Sequence, residues 1–212
     1  MSMNEDKLST TEKRDLIIQA GMQAIPCIGG SLSTLYFGVK QVKRFKRLES
    51  FYAELASEMK EIRNQFTSVD EQNRDALVAI LEELNERVEG EPTEEKRQFF
   101  KNYFKNTMRK PVTTDFDKRK YFLQTLADMS FLECELLAFL SVKEEPVFVG
   151  KIQKPGADQY AIVGAVGRLK SYGFIMSFQG GFTVGEDQDN TLQERVKISG
   201  FGREFKEFCL QA

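Results

Sequence analysis

Apolar residues in the first two thirds of the chain recur at helical spacing. Phe45, Leu48, Tyr52, Leu55, Met59, Ile62 and Phe66 fall alternately three and four apart, which predicts one long helix with a seam of about three heptads. Such a seam either packs inside a bundle of the chain's own helices or zips to a second chain as a coiled coil. Asp70 to Val88 repeats the spacing through Leu77, Ile80, Leu81, Leu84 and Val88, with Gly90 and Pro92 to end it. A further helix is expected from near Thr93, with Phe99, Phe100, Tyr103, Phe104 and Met108 on its apolar face and Pro111 as its stop. Thr113 or Thr114 can cap another helix running to about Asp128.

After Ser130 the pattern changes. FLECELLAFLS reads as a short helix, PVFVG as a short strand and Asp158 to Tyr172 as a helix. FIMSF, FTVGE and LQERVKIS alternate as strands do, with QGG and DQDN as turns, and GREFKEFCLQA closes the chain as a helix. The fold class expected is mainly α: an N-terminal helical bundle or coiled-coil region, then a winged-helix-like α+β domain. The boundaries expected are a polar lead over 1–15, the helical region over 16–128 and the last domain over 129–212.

The residues behind that last expectation are ELLAFL (135–140), AIVGAVGRLKSYGFI (161–175) and RVKISGFGREFKEF (195–208). Their order resembles the winged-helix superfamily. In that family the recognition helix often runs into a glycine and a strand, as at Tyr172-Gly173-Phe174-Ile175. The second wing strand often ends in a Ser/Thr-x-x-Gly turn, as at Ser199-Gly200-Phe201-Gly202. One departure is the preceding helix, which has only Lys151 to Gly156 to occupy and contains Pro155. The whole chain also resembles the abortive-infection alpha family of bacterial and phage proteins. That resemblance rests on the uncharged Ile-Pro-x-x-Gly-Gly hairpin of Ile25 to Gly30, the basic helices and the C-terminal domain. It implies a role in phage defence and carries over no catalytic residue.

Leu16 to Val39 is a run of 24 residues without a formal charge, interrupted by Pro26 and Gly29-Gly30. It reads as a helical hairpin buried in the bundle, or as a segment that inserts into membrane on triggering. Gln19, Gln23, Ser31, Ser33 and Thr34 make it too polar to span a bilayer as one helix. Behind it, Lys40, Lys43, Arg44 and Arg47 share one helical face, as headgroup anchors would. Arg97, Lys101, Lys105 and Arg109 form a second stripe at steps of four. Both stripes are candidate partner- or phosphate-binding surfaces; the alternative is a solvated face, or pairing with the acidic helix, which holds eight Asp or Glu against two Arg between Asp70 and Glu91.

Charge bears on the winged helix. Residues 125–212 hold nine Lys or Arg against twelve Asp or Glu, a balance that does not favour DNA. Ile162, Val166 and Leu169 are expected to be core. The opposite face, Ala161, Gly164, Arg168, Ser171 and Tyr172, offers only Arg168 for a bidentate base contact. Gly164 and Gly167 each cost about 1 kcal/mol in a helix relative to Ala. Either they allow close packing inside the domain, which is the favoured reading, or they leave a smooth surface for a partner helix.

Composition excludes much chemistry. The chain has no histidine, so no Ser-His or Cys-His pair and no His-ligated metal can form. Its three cysteines, Cys27, Cys134 and Cys209, lie far apart without metal-ligand spacing. GAVGRLKS lacks the spacing of a phosphate loop, Glu82, Glu83 and Glu86 read as a solvated helix face, and Glu186, Asp187 and Asp189 lack the calcium-loop pattern. The expectation is a protein without catalytic, metal or cofactor-binding residues, in the cytoplasm or peripheral to the inner membrane. A protein partner is favoured over nucleic acid. A homo-oligomer is expected because the heptad seam and the Phe-rich helix offer more apolar surface than a small bundle covers.

Overall fold

The computed structural model describes residues 45–61, 73–178 and 190–211. The lead over 1–15, the apolar run 16–39, the seam positions Ile62 and Phe66 and the expected strand FTVGE lie outside them. The chain divides into two compact units, the first ending at Leu123 and the second beginning at Gln124. That division falls inside one helix rather than after Asp128. Mainly helical architecture with one small antiparallel sheet is what the spacing predicts and what the structure has.

In the first unit, α1 (Phe45–Glu61), α2 (Arg74–Gly90) and α3 (Glu94–Arg109) pack together, and α4 (Phe116–Asp128) follows. The seam residues Leu48, Tyr52, Leu55 and Met59 are buried within the single chain, joined by Phe51 and Ala56. These four seam positions therefore serve intrachain bundle packing. Phe100, Tyr103, Phe104 and Met108 of α3 are buried too, and Phe99 is half-buried. α2 begins at Asn73, whose side chain accepts from the Ala76 N–H at 3.2 Å. At the start of α4 the Asp115 carboxylate, rather than a threonine hydroxyl, carries the polar contacts, accepting from Thr113 N–H at 3.4 Å and from Arg119 Nε at 2.8 Å. The rest of the buried Arg119 guanidinium donates to the carbonyls of Thr107, Lys110 and Pro111. It thereby satisfies acceptors that the end of α3 leaves open.

The second unit holds α5 (Phe131–Ser141), β1 (Val147–Phe148), α6 (Gln159–Ser171), β2 (Ile175–Phe178), α7 (Asn190–Gln193), β3 (Arg195–Ile198) and α8 (Gly200–Phe205), which continues as a π-helical turn over Lys206–Leu210. The strands form one antiparallel sheet in the order β1-β3-β2. Two details correct the sequence reading. The expected strand PVFVG is a strand only over Val147–Phe148, after which Val149–Lys151 forms a 3-10 turn and no α-helix lies between β1 and α6. Pro155 has no N–H to give a helix, and Gly156 takes a left-handed φ of 80°. LQERVKIS is a strand only from Arg195, because Leu192 and Gln193 belong to α7.

α6 starts at Asp158, whose carboxylate accepts from the Tyr160 N–H at 2.8 Å. Ile162, Ala165, Val166 and Leu169 form its buried stripe. The helix ends in a left-handed glycine turn: Gly173 (φ 75°) donates to the Lys170 carbonyl and Phe174 to that of Leu169. That turn buries Phe174, which stacks on Phe205 with centroids 4.2 Å apart. Ser199 joins the two ends, accepting from Gly202 N–H to start α8 and donating to the Gly173 carbonyl at 2.7 Å. Gly202 is obligatory, since a Cβ there would lie 2.1 Å from the Phe174 carbonyl oxygen.

Candidate functional site

α6 brings Ala161, Gly164, Arg168, Ser171 and Tyr172 to one side, all exposed except the half-buried Tyr172. Arg168 is already engaged there. Its Nε lies 3.0 Å from Glu133 Oε1 on α5 and its Nη2 donates to the Asp128 carbonyl at 2.8 Å and to the Tyr172 hydroxyl. Glu133 is buried, and its other oxygen is satisfied by the Ser130 N–H in a capping box. Ser171 donates to the Arg168 carbonyl. The favoured close-packing reading of the glycines fails: a Cβ at Gly164 or at Gly167 would meet nothing within 4 Å among the described residues. Both are exposed.

The basic stripe of α3 is not a solvated face. Lys101 is buried, with Nζ 2.7 Å from Glu54 and 3.0 Å from Glu58, and Lys105 Nζ lies 2.8 Å from Glu58. The partners of Lys101 and Lys105 come from α1, four residues apart, rather than from the acidic helix α2. Partial burial works against the Glu54 and Glu58 carboxylates, but hydrogen bonds and charge from Lys101, with Ser50 for Glu54 and Lys105 for Glu58, outweigh it and hold both below the ordinary glutamate pKa. Burial likewise works against the Lys101 ammonium, and the same two carboxylates outweigh it and raise its pKa. At the ends of the stripe, Arg97 donates to the Glu91 and Pro92 carbonyls and pairs with Glu94, while Arg109 donates to Asn106. Arg47 donates to the Glu89 carbonyl at 2.8 Å. Lys40, Lys43 and Arg44 lie outside the described residues.

A surface that the sequence reading missed is on the second unit. An apolar cleft of about 200 Å³ lies between α5 and the connection to α6, lined by Leu132, Leu136, Phe139, Ile152, Pro155 and Ile162, with the Glu135–Lys154 ion pair beside it. Phe131 and Phe139 of α5, Val142 at its C-terminal cap and Tyr160 of α6 are exposed. Its signal was present: FLECELLAFLSV has too many large apolar residues for one buried stripe. Among the described residues no cluster of His, Cys, Asp and Glu fits a metal ion. Cys134 and Cys209 are buried, and burial, with the charge of neighbouring Cys134, pushes the Cys209 thiol well up. Comparison with family models, curated proteins and solved structures found no match.

Proposed function

We propose that this is a non-enzymatic interaction protein whose second unit is a winged-helix-like module that docks a protein partner. The observation that carries the reading is the distribution of apolar surface. Among the described residues, six of the seven exposed large hydrophobic side chains lie in that unit: Phe131, Phe139, Val142, Tyr160, Met176 and Phe178. Exposed aromatic residues beside a preformed cleft are the anchors of protein interfaces. The winged-helix reading is supported by the strand order β1-β3-β2 with α6 between β1 and β2. Reading of a major groove by α6 is disfavoured, because the cation of its outer face, Arg168, is tied to Glu133.

Phage defence is the setting we propose, on the sequence resemblance carried by the Ile25–Gly30 hairpin, the basic helices and the C-terminal domain. The membrane reading concerns residues 16–39; among the described residues no helix is long and apolar enough to cross a membrane. The docking reading is tested by a photoreactive side chain placed at Phe139 or Gly164 in cells. A discrete protein adduct from these positions, a second copy of the chain included, supports it. Adducts to nucleic acid alone, or none from either position, overturn it.

A further inference from the structure

The sheet of the second unit has one face that its own core does not use. Val196, Ile198 and Ile175 point inward and are buried. On the other face, Arg195 of β3 stands between its cross-strand partners Phe148 of β1 and Phe178 of β2, and Lys197 stands beside Met176. Met176 and Phe178 are exposed, and Phe148 is half-buried. Phe148 gathers a further cation, with Lys151 Nζ 5.1 Å and Arg195 Cζ 5.7 Å from its ring centroid. Lys197 donates to the backbone carbonyl of Glu144. Neither Lys151 nor Arg195 has a carboxylate partner among the described residues, whereas Lys154, Arg168 and Lys170 are each paired. Glu194, the carboxylate next to Arg195 in sequence, is held by Lys170 at 2.7 Å. Beside Phe148 and Lys151 opens a cleft of about 450 Å³, bounded also by Gly150, Leu192 and Gln193.

We propose that this sheet face binds single-stranded nucleic acid. Lys151, Arg195 and Lys197 would neutralise backbone phosphates, and Phe178 and Met176 would carry unstacked bases. The face alternates cations with flat or soft apolar side chains, and a single strand offers both a charge and a flat face in every nucleotide. An acidic peptide would bring its charges on flexible stems that must be ordered first, and a duplex hides its base faces. The net negative charge of the unit does not oppose this, since binding depends on the local array of cations. Met176 and Phe178 belong to the exposed set described above, but the α5–α6 surface around Phe139 and Gly164 takes no part in this face, and either reading can fail without the other.

The test is fluorescence anisotropy of the full chain with a labelled oligothymidylate. Three neutralised phosphates predict a slope of log K against log salt of about −2 for single strands, or about a 16-fold loss of affinity between 50 and 200 mM salt. Changing Lys151→Gln with Arg195→Gln should bring that slope to about −0.7. Should the pair disturb folding by circular dichroism, Lys151→Gln alone on the 3-10 turn should bring it to about −1.4. Phe178→Ser should weaken binding about tenfold or more with the slope unchanged. No binding at low salt, tighter binding of duplex, displacement by an acidic aromatic peptide at lower concentration, or variants that bind like the parent would each overturn the proposal. So would binding that appears only after Glu186→Gln, Asp187→Asn and Asp189→Asn, because the cations would then be occupied by the chain's own acid.

Discussion

Arg168 and Glu133 form a pair in which one carboxylate does two jobs: Oε1 lies 3.0 Å from the Arg168 Nε, and Oε2 accepts from the Ser130 N–H at 3.1 Å. The cation that would have read a base is instead a brace between α6 and the start of α5. Arg168→Gln should therefore destabilise the second unit by about 0.5–1 kcal/mol, the range of a pair whose arginine is half exposed, and leave duplex DNA affinity unchanged. Ser130→Ala should cost about 1 kcal/mol through the lost cap. Chemical denaturation and duplex titration check both, and a fall in duplex affinity for Arg168→Gln would restore the groove-reading role.

The glycines of the second unit separate into two kinds, and alanine substitution distinguishes them. Gly164 and Gly167 sit in a helix with free space where a Cβ would go, so each change to alanine should stabilise by up to about 1 kcal/mol. Thermal melting should rise by about 2–4 °C for each kcal/mol gained. If α6 docks a partner over its smooth strip, the same variants should bind less well while being more stable. Gly202→Ala must push a methyl against the Phe174 carbonyl, and a loss of about 3 kcal/mol or more is expected. A destabilised Gly164→Ala would mean that this strip is covered after all.

Local pattern was enough for the helices and for the glycine and serine turns around Phe174, because three-and-four spacing and left-handed stops are properties of neighbouring residues. It could not assign the α3 stripe. Lys101 meets Glu54 across 47 positions, and nothing within the α3 sequence distinguishes an inward lysine from a solvated one. The same limit hid the free space over Gly164. The 3-10 turn at Val149–Lys151 and the short α7 escaped for another reason: both are single turns, too short for any periodicity. The sheet face was split between Phe148, Arg195 and Phe178, brought together only by strand register.

The Lys101 cluster makes an acid-sensitive bundle. Glu54 and Glu58 have folded pKa values below the ordinary 4.5, so their contribution is full above about pH 4.5 and is lost as pH falls through the lowered values. Lys101 is raised above the ordinary 10.5, so its contribution is full below about pH 10.5 and is lost as pH rises through the raised value. Lys101→Met keeps the apolar stem and removes the charge. It should cost about 1–3 kcal/mol at neutral pH, between an exposed and a buried pair, since both glutamates are partly exposed. It should also flatten the loss of stability between pH 5 and 3 measured by urea unfolding. An equally steep acid limb in the variant would assign the acid sensitivity elsewhere, with Asp115, also lowered and paired with Arg119, the next group to change.

Vesicle flotation separates the two readings of the apolar run. If residues 16–39 act at a membrane, Ile17, Ile25, Ile28, Leu32, Leu35 and Phe37 supply the apolar burial, and Lys40, Lys43 and Arg44 add about 1 kcal/mol each near an anionic surface. Arg47 belongs to a different account, because its guanidinium already holds the Glu89 carbonyl, and its substitution would disturb the bundle itself. The informative variant is therefore Lys40→Gln, Lys43→Gln and Arg44→Gln with Arg47 kept. The polar interruptions at Gln19, Gln23, Ser31, Ser33 and Thr34 weigh towards the buried hairpin, and the resting protein is expected not to float with anionic vesicles even at low salt. Under that reading Ile28→Asp or Leu35→Asp places an unpaired charge in the core and should cost several kcal/mol, read as loss of the cooperative thermal transition. Flotation that is abolished by salt and by the triple variant, together with a well-folded Leu35→Asp, would reverse the assignment and make the run a membrane-contacting segment.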